Sequence, residues 1–334
     1  MDATPATTLG GTRIRDLHLS IEGTRLEPLI ARFEREVASL GLPLRPRFYL
    51  SSEWGVPFGT IAIAIPFYLA REDLAAIQRE RAGYVEGELA ADVMRYLRHE
   101  LGHVVNYAYQ LFDEPGWIEQ FGSITQPYLE EYRPEPFSAR YVRHLPGWYA
   151  QKHPDEDWAE TFAVWMTPGR DWRREYEGWP ALAKLEYCDE VMRSLVGAAP
   201  RVTVDALDEP VHELHATLDE FYGAPGQADA LPRGIEGALR AVFHDDTHHD
   251  GQRAANEPAS TLIRRLSAHL PVEIYRWTGH FPEHTRALLG AMAREADRLG
   301  LAHDRGDESR CSIALTTLVT ALAMNHVMHG TYAG

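Results

Sequence analysis

Apolar residues recur at helical spacing near the start of the chain. The members of this series are Leu26, Leu29, Ile30, Phe33, Val37 and Leu40. Gly41 and Pro43 follow, so the pattern predicts an amphipathic helix that ends near residue 40. Two short β-branched or aromatic runs come next, at 47–50 and 60–69, with a Trp-Gly-Val-Pro-Phe-Gly turn region between them. These runs predict a hairpin or a small sheet.

A second helical pattern extends from about residue 87 to 111, with a broad apolar stripe. The segment 117–154 is rich in proline, glycine and aromatic residues and has no clean period, which predicts a long structured excursion. Helical spacing then returns at about 155–166 and 180–196. Long loops of this kind often shape binding sites.

The pattern changes after the Gly-Ala-Ala-Pro segment at 197–200, where strand signals vanish. The helices predicted beyond it cover about 204–221, 232–243, 259–277, 282–299 and 311–328. We therefore predict an α+β domain over residues 1–198, with a small mixed sheet, followed by an all-α helical bundle over 199–334.

Composition narrows the function classes. The 334 residues carry a formal net charge of −16, which gives no basic field for nucleic acid. The N-terminus has no apolar stretch typical of a secretory signal, and the longest apolar run, Ile61–Ala70, is too short to span a bilayer. These features predict a soluble cytoplasmic protein without membrane partners. The two cysteines, Cys188 and Cys311, lie far apart, so any metal must use histidine and carboxylate ligands.

Residues 99–103 read His-Glu-Leu-Gly-His and lie within the helix predicted over 87–111. At positions i and i+4, the imidazoles of His99 and His103 project from one helix face and can bind a single zinc ion. Glu100 can then take a proton from the attacking water and deliver it to a leaving nitrogen. The alternative is a partly buried helix with ordinary histidines.

A catalytic zinc needs three protein ligands and one open position. Glu160 is the best candidate for the third ligand, because it lies in a largely apolar helical stretch where an ionised carboxylate needs a positive partner. The alternative is that Glu160 is a solvated helix residue, as we expect for Glu156.

These two short stretches resemble known enzymes. His-Glu-Leu-Gly-His followed by Glu-Asp-Trp-Ala-Glu-Thr-Phe-Ala is similar to the zinc-binding metallopeptidases of bacteria, in the gluzincin branch of the zincins. Lethal factor-type proteases show a comparable downstream Ala-Glu-x-Phe. The resemblance covers roughly residues 45–195. It implies a zincin-like fold, His99, His103 and Glu160 as ligands, Glu100 as general base, and 60–69 as the edge strand along which an extended peptide pairs.

One feature departs from the thermolysin-like pattern. Position 164 is valine, so no carboxylate follows Glu160 by four residues, and the group that orients the imidazoles must come from elsewhere. Asp92 and Asn106 both lie near the ligand face, although surface polar residues of a helix are more often solvated.

The residue that stabilises the oxyanion is the least specified part of the site. Members of this branch commonly use a tyrosine or histidine near the third ligand, which makes Tyr149, His153 and Tyr187 candidates for catalytic residues. Buried tyrosines and helix-start histidines are also common as structural residues.

Other histidines cluster outside this motif. The run at 244–250, His-Asp-Asp-Thr-His-His-Asp, could bind a divalent ion but is more typical of a solvated acidic turn. His212 with His215, and His326 with His329, lack a nearby third ligand, so a structural role is favoured.

The sequence thus predicts a zinc metallopeptidase. A second hypothesis keeps the metal but changes the bond to a non-peptide amide, and substrate profiling would separate the two. A third is that the C-terminal helical domain binds a protein partner and recruits the catalytic half, which truncation at Pro200 would test.

Overall fold

The computed structural model describes residues 9–82, 84–129, 132–223, 231–232, 234–245 and 256–332. It is a mixed α/β structure. The chain forms two compact units. The first comprises Met1–Glu80 and Val85–Gly223, and the second comprises Arg81–Tyr84 and Ala224–Gly334.

The first unit is mainly helical. Its helices are α1 (Leu26–Ser39), α2 (Glu72–Arg81), α3 (Ala90–Tyr109), α4 (Pro115–Phe121), α5 (Pro154–Met166), α6 (Trp172–Glu175), α7 (Ala181–Ser194) and α8 (Leu218–Tyr222). The predictions of helices near 26–40, 87–111, 155–166 and 180–196 are confirmed, because each pattern marks the face that the helix buries.

Two strands, β1 (Arg47–Ser51) and β2 (Ala62–Pro66), form the sheet of this unit. They pair in parallel, with Arg47 opposite Ala62, so the prediction of a small sheet is confirmed and that of a hairpin is wrong. The connection between them folds back instead, and the Ala64 N–H donates to the Gly55 carbonyl at 2.8 Å. Strand β2 is therefore bonded on both sides and fully buried.

Helices α3 and α5 pack closely at Gly102. A Cβ atom at this position would lie 2.7 Å from the Cα of Ala159, so only glycine permits this approach. The indole of Trp158 donates to the Gly102 carbonyl at 2.8 Å and fixes the crossing. The side chains on the facing sides of these two helices are thereby brought within contact distance.

The second unit contains five helices among its described residues: α9 (Ile235–Val242), α10 (Ala259–Leu266), α11 (Leu270–Thr278), α12 (Pro282–Leu299) and α13 (Glu308–His329). It also contains a three-stranded antiparallel sheet in the order β3 (His244–Asp245), β5 (Leu301–Asp304), β4 (Asn256–Pro258). The second half of the chain is thus helix-rich, and the described residues do not form the purely helical bundle that the sequence predicts.

The segment 199–223 belongs to the first unit. Its backbone bonds there explain why the helix predicted over 204–221 is wrong: Ile61 N–H donates to Val204 O, and Ile14 N–H donates to Ala216 O, at 2.8 and 2.9 Å. A chain that pairs in this extended manner cannot form one continuous helix, and the segment contains only a 3-10 turn at Val211–Glu213 and the short helix α8 among its helical elements. The division of the chain into units accordingly falls after Gly223, later than the boundary predicted after residue 198.

One helical segment among the described residues, Arg305–His329, is long and apolar enough by length and composition to cross a membrane, and 22% of its most apolar window is buried. Core helices of water-soluble proteins also satisfy this criterion.

Candidate metal centre

Helix α3 carries the His-Glu-Leu-Gly-His motif on its buried side. His99, Glu100 and His103 retain only 2%, 4% and 7% of their exposure. The apolar stripe of α3 embeds the helix in the core, and the 3.6-residue period aligns the two imidazoles one turn apart. The sequence prediction that the motif lies on a helix is confirmed.

Helix α5 presents an acidic first turn to the motif. His153 precedes the helix, and its Nδ1 accepts a hydrogen bond from the Asp155 N–H at 3.2 Å, while Pro154 occupies the first turn. Asp155, Glu156 and Asp157 follow, and all three are buried. Carboxylates in this position are favoured by the partial positive charge at the helix N-terminus.

Three potential ligand atoms converge where the helices meet. The Nε2 atoms of His99 and His103 lie 3.2 Å apart, and Oε2 of Glu156 lies 3.0 Å from the first and 3.3 Å from the second. Ligand atoms on one tetrahedral zinc ion are about 3.3–3.6 Å apart, given zinc–ligand distances of roughly 2.0–2.2 Å. The three residues therefore match a zinc site in both donor chemistry and spacing.

A proton between the two Nε2 atoms, which lie 3.2 Å apart, can bond to only one of them and be accepted by the other. A metal cation, in contrast, can accept the lone pairs of both. In the described part of the chain, His99, His103 and Glu156 form one of two side-chain groups that could hold a metal ion.

Carboxylates also lie behind each imidazole. Nδ1 of His99 lies 2.9 Å from Oε1 of Glu160, whose other oxygen accepts the backbone N–H groups of His144 and Leu145 at 3.0 and 2.9 Å. These contacts place Glu160 on the opposite side of the His99 ring from the converging ligand atoms. They explain how a fully buried carboxylate can remain ionised in this position.

Asp155 lies in the equivalent position behind His103. Its Oδ2 is 3.1 Å from His103 Nδ1 and accepts a hydrogen bond from the Tyr107 hydroxyl, while its Oδ1 accepts from the Asn106 amide at 2.7 Å. Asn106, which the sequence suggested as a group that orients an imidazole, therefore contacts Asp155 and not the imidazole itself. The structure shows no contact of Asp92 with this cluster in the described residues.

The electrostatics of the cluster favour positive charge. Burial opposes protonation of His99, but hydrogen bonds with Glu156 and Glu160 raise its pKa to about 9. Burial also opposes protonation of His103, whose pKa Asp155 and Glu156 nevertheless raise well above its ordinary value. In return, the pKa of Glu156 is held well below its usual range, although burial acts against ionisation.

Glu100 differs from its neighbours. Burial raises its pKa to about 7, although both histidines act in the opposite direction. Its carboxyl group lines the same cleft as the three converging ligand atoms. A carboxylate with a pKa near neutrality is suited to accepting a proton and returning it.

The cluster opens into a cleft of about 400 Å³. Its walls include the aromatic residues Phe58, Tyr107, Tyr128 and Tyr149. Residues 53–56, in the connection between β1 and β2, also border the cleft. The prediction that 60–69 offers a free edge for a peptide is wrong, because β2 is bonded on both sides and buried.

The three candidate electrophiles have different surroundings. Tyr149 lines the cleft, with its ring 5.5 Å from that of His99. His153 also lines it, but both ring nitrogens are engaged, with Asp155 N–H and with the Gln126 carbonyl, in its role as the residue that precedes α5. Tyr187 does not line the cleft and instead packs on Phe121, at a ring separation of 6.1 Å.

Sequence reasoning missed Tyr128. Its hydroxyl donates to Oε1 of Glu156 at 2.5 Å and lies 3.4 Å from the hydroxyl of Tyr149. The residue comes from the aperiodic segment 117–154, where no pattern distinguishes one tyrosine from another.

The sequence did contain a signal that could have pointed to Glu156. It precedes Glu160 by four residues, so the two carboxylates share a helix face, as a ligand and its supporting carboxylate would.

The remaining histidine candidates do not join this centre. His244 and Asp245 are exposed on β3, and residues 246–250 of the acidic run lie outside the described residues. His212 lies beside Glu213, with both side chains exposed, and His326 stacks on Tyr332 in the second unit.

Comparison with known protein families identifies the class. The sequence model of the family described as "Putative zinc-binding metallo-peptidase" matches residues 58–238. This match covers more than half of the chain and includes the whole motif of α3 and all of α5, so the protein belongs to this family. Membership supports a zinc-dependent hydrolase that acts on peptides. No curated protein and no solved structure matches the chain significantly.

Proposed function

We propose that the protein is a zinc-dependent peptidase in which His99, His103 and Glu156 hold the metal and Glu100 is the general base. The observation that carries this assignment is the convergence of two Nε2 atoms and one carboxylate oxygen at 3.0–3.3 Å. Glu160, the ligand predicted from sequence, is assigned here to orienting His99 through Nδ1.

The donor set fits zinc because two neutral imidazoles and one carboxylate form a common catalytic zinc site, with one position left open. A bound zinc ion would supply Lewis-acid chemistry, which polarises a substrate carbonyl and makes water more acidic. Glu160 and Asp155 each contact an Nδ1 atom, so they favour the tautomer whose Nε2 lone pair faces the metal position.

Glu100 supplies the proton transfer. Its carboxylate can take a proton from the attacking water and deliver it to the leaving amine. Glu100 neighbours His99 in sequence but, within the described residues, makes no hydrogen bond with either imidazole. This leaves its carboxylate available to water in the cleft.

The cleft supports a peptide substrate. Segment 53–56 borders one side, and its backbone groups other than the Gly55 carbonyl, which accepts from Ala64 N–H, could pair with an extended chain. Tyr149 is the candidate that best suits oxyanion stabilisation, because it borders the cleft beside His99 and its hydroxyl lies next to that of Tyr128.

The experiment combines metal content with peptidase activity on unstructured protein substrates. Glu100→Gln should retain one zinc per chain in this centre and lose activity by about 10²-fold or more. Glu156→Gln should lose both metal and activity. The matched control is Glu119→Gln on α4, an exposed position that should leave both unchanged. Full activity of metal-free protein, or of Glu100→Gln, would contradict the proposal.

A further inference from the structure

The second unit contains a buried imidazole whose ring nitrogens have no hydrogen-bond partner. His303 lies on β5, the central strand of the three-stranded sheet, and its side chain is 0% exposed. Neither Nδ1 nor Nε2 makes a hydrogen bond. A buried polar group without a partner destabilises the folded state, so such groups are rare and call for an explanation.

Two carboxylates lie next to this imidazole. Glu257 on β4 is the direct cross-strand partner of His303, and its Oε2 lies 3.6 Å from His303 Nε2. Glu308 begins α13. One ligand atom from each of these residues lies within 4.8 Å of the other two, so strand β5, strand β4 and helix α13 contribute one potential ligand each.

The guanidinium of Arg265 lies beside the two carboxylates. Its Nη2 is 3.1 Å from Glu257 and 3.1 Å from Glu308. The Arg265 side chain is 47% exposed and extends from α10, so it can turn away into solvent. The guanidinium compensates the two negative charges but, in the described part of the chain, makes no hydrogen bond with the imidazole, so both ring nitrogens of His303 stay unpaired.

We propose that His303, Glu257 and Glu308 form a second binding site for a divalent transition metal of the zinc class, and that Arg265 occupies its place when the metal is absent. One imidazole and two carboxylates are ligands that zinc accepts readily. Metal binding would give the His303 lone pair a partner and tie the sheet to the start of α13. The site lies entirely within the second unit and is separate from the centre on α3 and α5.

The test is zinc binding to the full chain, prepared without a histidine tag and stripped with a chelator. Zinc alone is titrated against a chromophoric competitor, and the number of bound ions per chain is counted. We expect two equivalents for the unaltered protein and one for His303→Ala. His99→Ala should also bind one, which separates this site from the proposed catalytic centre.

Arg265→Ala gives the sharper result. Because it removes a positive charge a few ångströms from the bound ion, it should tighten binding at this site by about tenfold. Arg264→Ala is the matched control, since Arg264 contacts Asp297 and Ser260 instead. A purely structural cluster predicts the reverse, namely no second ion and a less stable protein when Arg265 is removed.

A second variant, at the first residue of α13, tests the proposal in case His303→Ala does not fold. Glu308→Gln should lose the second ion while the circular dichroism spectrum is preserved, and the neighbouring Asp307→Asn should keep it. The proposal is overturned if His303→Ala or Glu308→Gln binds as many ions as the unaltered protein, or if Arg265→Ala binds zinc no more tightly at this site; loss of an ion in His99→Ala alone tests the proposed catalytic centre instead.

Discussion

Glu160 keeps a proton on Nδ1 of His99, so that Nε2 is the nitrogen that gives up its proton when a metal binds. Its Oε1 lies 2.9 Å from His99 Nδ1, and its Oε2 accepts the N–H groups of His144 and Leu145 at 3.0 and 2.9 Å. Both backbone groups are obligatory donors, and the carboxylate can only accept. The geometry therefore favours a proton on Nδ1 and a lone pair on Nε2, which is the form that binds metal.

Glu160→Gln keeps the shape of the side chain but removes one of the two accepting atoms. If the amide oxygen faces the two backbone N–H groups, the amide NH₂ donates to His99 Nδ1 and drives the proton onto Nε2, which blocks the metal position. If the amide is flipped, its NH₂ faces two donors. Either arrangement should weaken zinc binding by about 10–100-fold, which corresponds to about 1.4–2.8 kcal/mol.

The assay is a zinc competition titration at pH 7, with Glu156→Gln and the control Glu119→Gln measured alongside. Glu156→Gln should lose more affinity than Glu160→Gln, because it replaces a charged ligand instead of a group that acts through His99. The reasoning is refuted if Glu160→Gln abolishes zinc binding while Glu156→Gln retains it, since the two glutamates would then have exchanged roles.

Three further predictions follow from the same contacts. Since the pKa of His99 in the metal-free protein, about 9, exceeds its unfolded value of 6.5, its contribution is fully present below pH 6.5 and is lost as the pH rises to 9. Denaturant titrations should show a loss of roughly 3 kcal/mol over that interval, whereas zinc-loaded protein should lose much less. Gly102→Ala should lower the free energy of unfolding by about 1–3 kcal/mol and weaken zinc binding. The control is Gly237→Ala in helix α9, where the added methyl group meets open space, so thermal denaturation should show unchanged or higher stability. Tyr149→Phe should lower kcat by a larger factor than it changes KM if the Tyr149 hydroxyl stabilises the oxyanion. Tyr128→Phe should mainly weaken zinc binding, because it removes the hydrogen bond to Oε1 of Glu156.

Much of the helical framework could be predicted from the sequence. Helices α1, α3, α5, α7 and α12 follow from apolar residues at helical spacing, which each helix buries in a core. The motif on α3 was also predictable, because two histidines four residues apart must share a helix face.

The roles of Glu156 and Glu160 could not be separated in this way. Both lie on the same face of α5 and offer the same group, so the period that brings one to His99 also brings the other. What distinguishes them is that one faces Nε2 and the other Nδ1, a difference set by the packing of α5 on α3 at Gly102. The acidic first turn of α5 also suggested solvent exposure for Glu156, although the helix start is buried.

Long-range pairing explains the other differences. Segment 204–221 has apolar residues at helical spacing, but its backbone hydrogen bonds to other segments of the first unit prevent helix formation over most of its length. Strands β1 and β2 pair in parallel because residues 52–61 fold back along β2, and no local turn signal specifies that path. Tyr128 reaches Glu156 from the aperiodic segment 117–154, so its contact depends on tertiary structure alone.

The most direct test of the central claim is a crystal structure of the zinc-loaded protein, with anomalous diffraction recorded on both sides of the zinc absorption edge. Our account predicts an anomalous peak within about 2.2 Å of Nε2 of His99, Nε2 of His103 and a carboxylate oxygen of Glu156. Glu160 should remain on Nδ1 of His99. A peak bonded to Glu160 in place of Glu156, or no peak between the two imidazoles, would contradict the account.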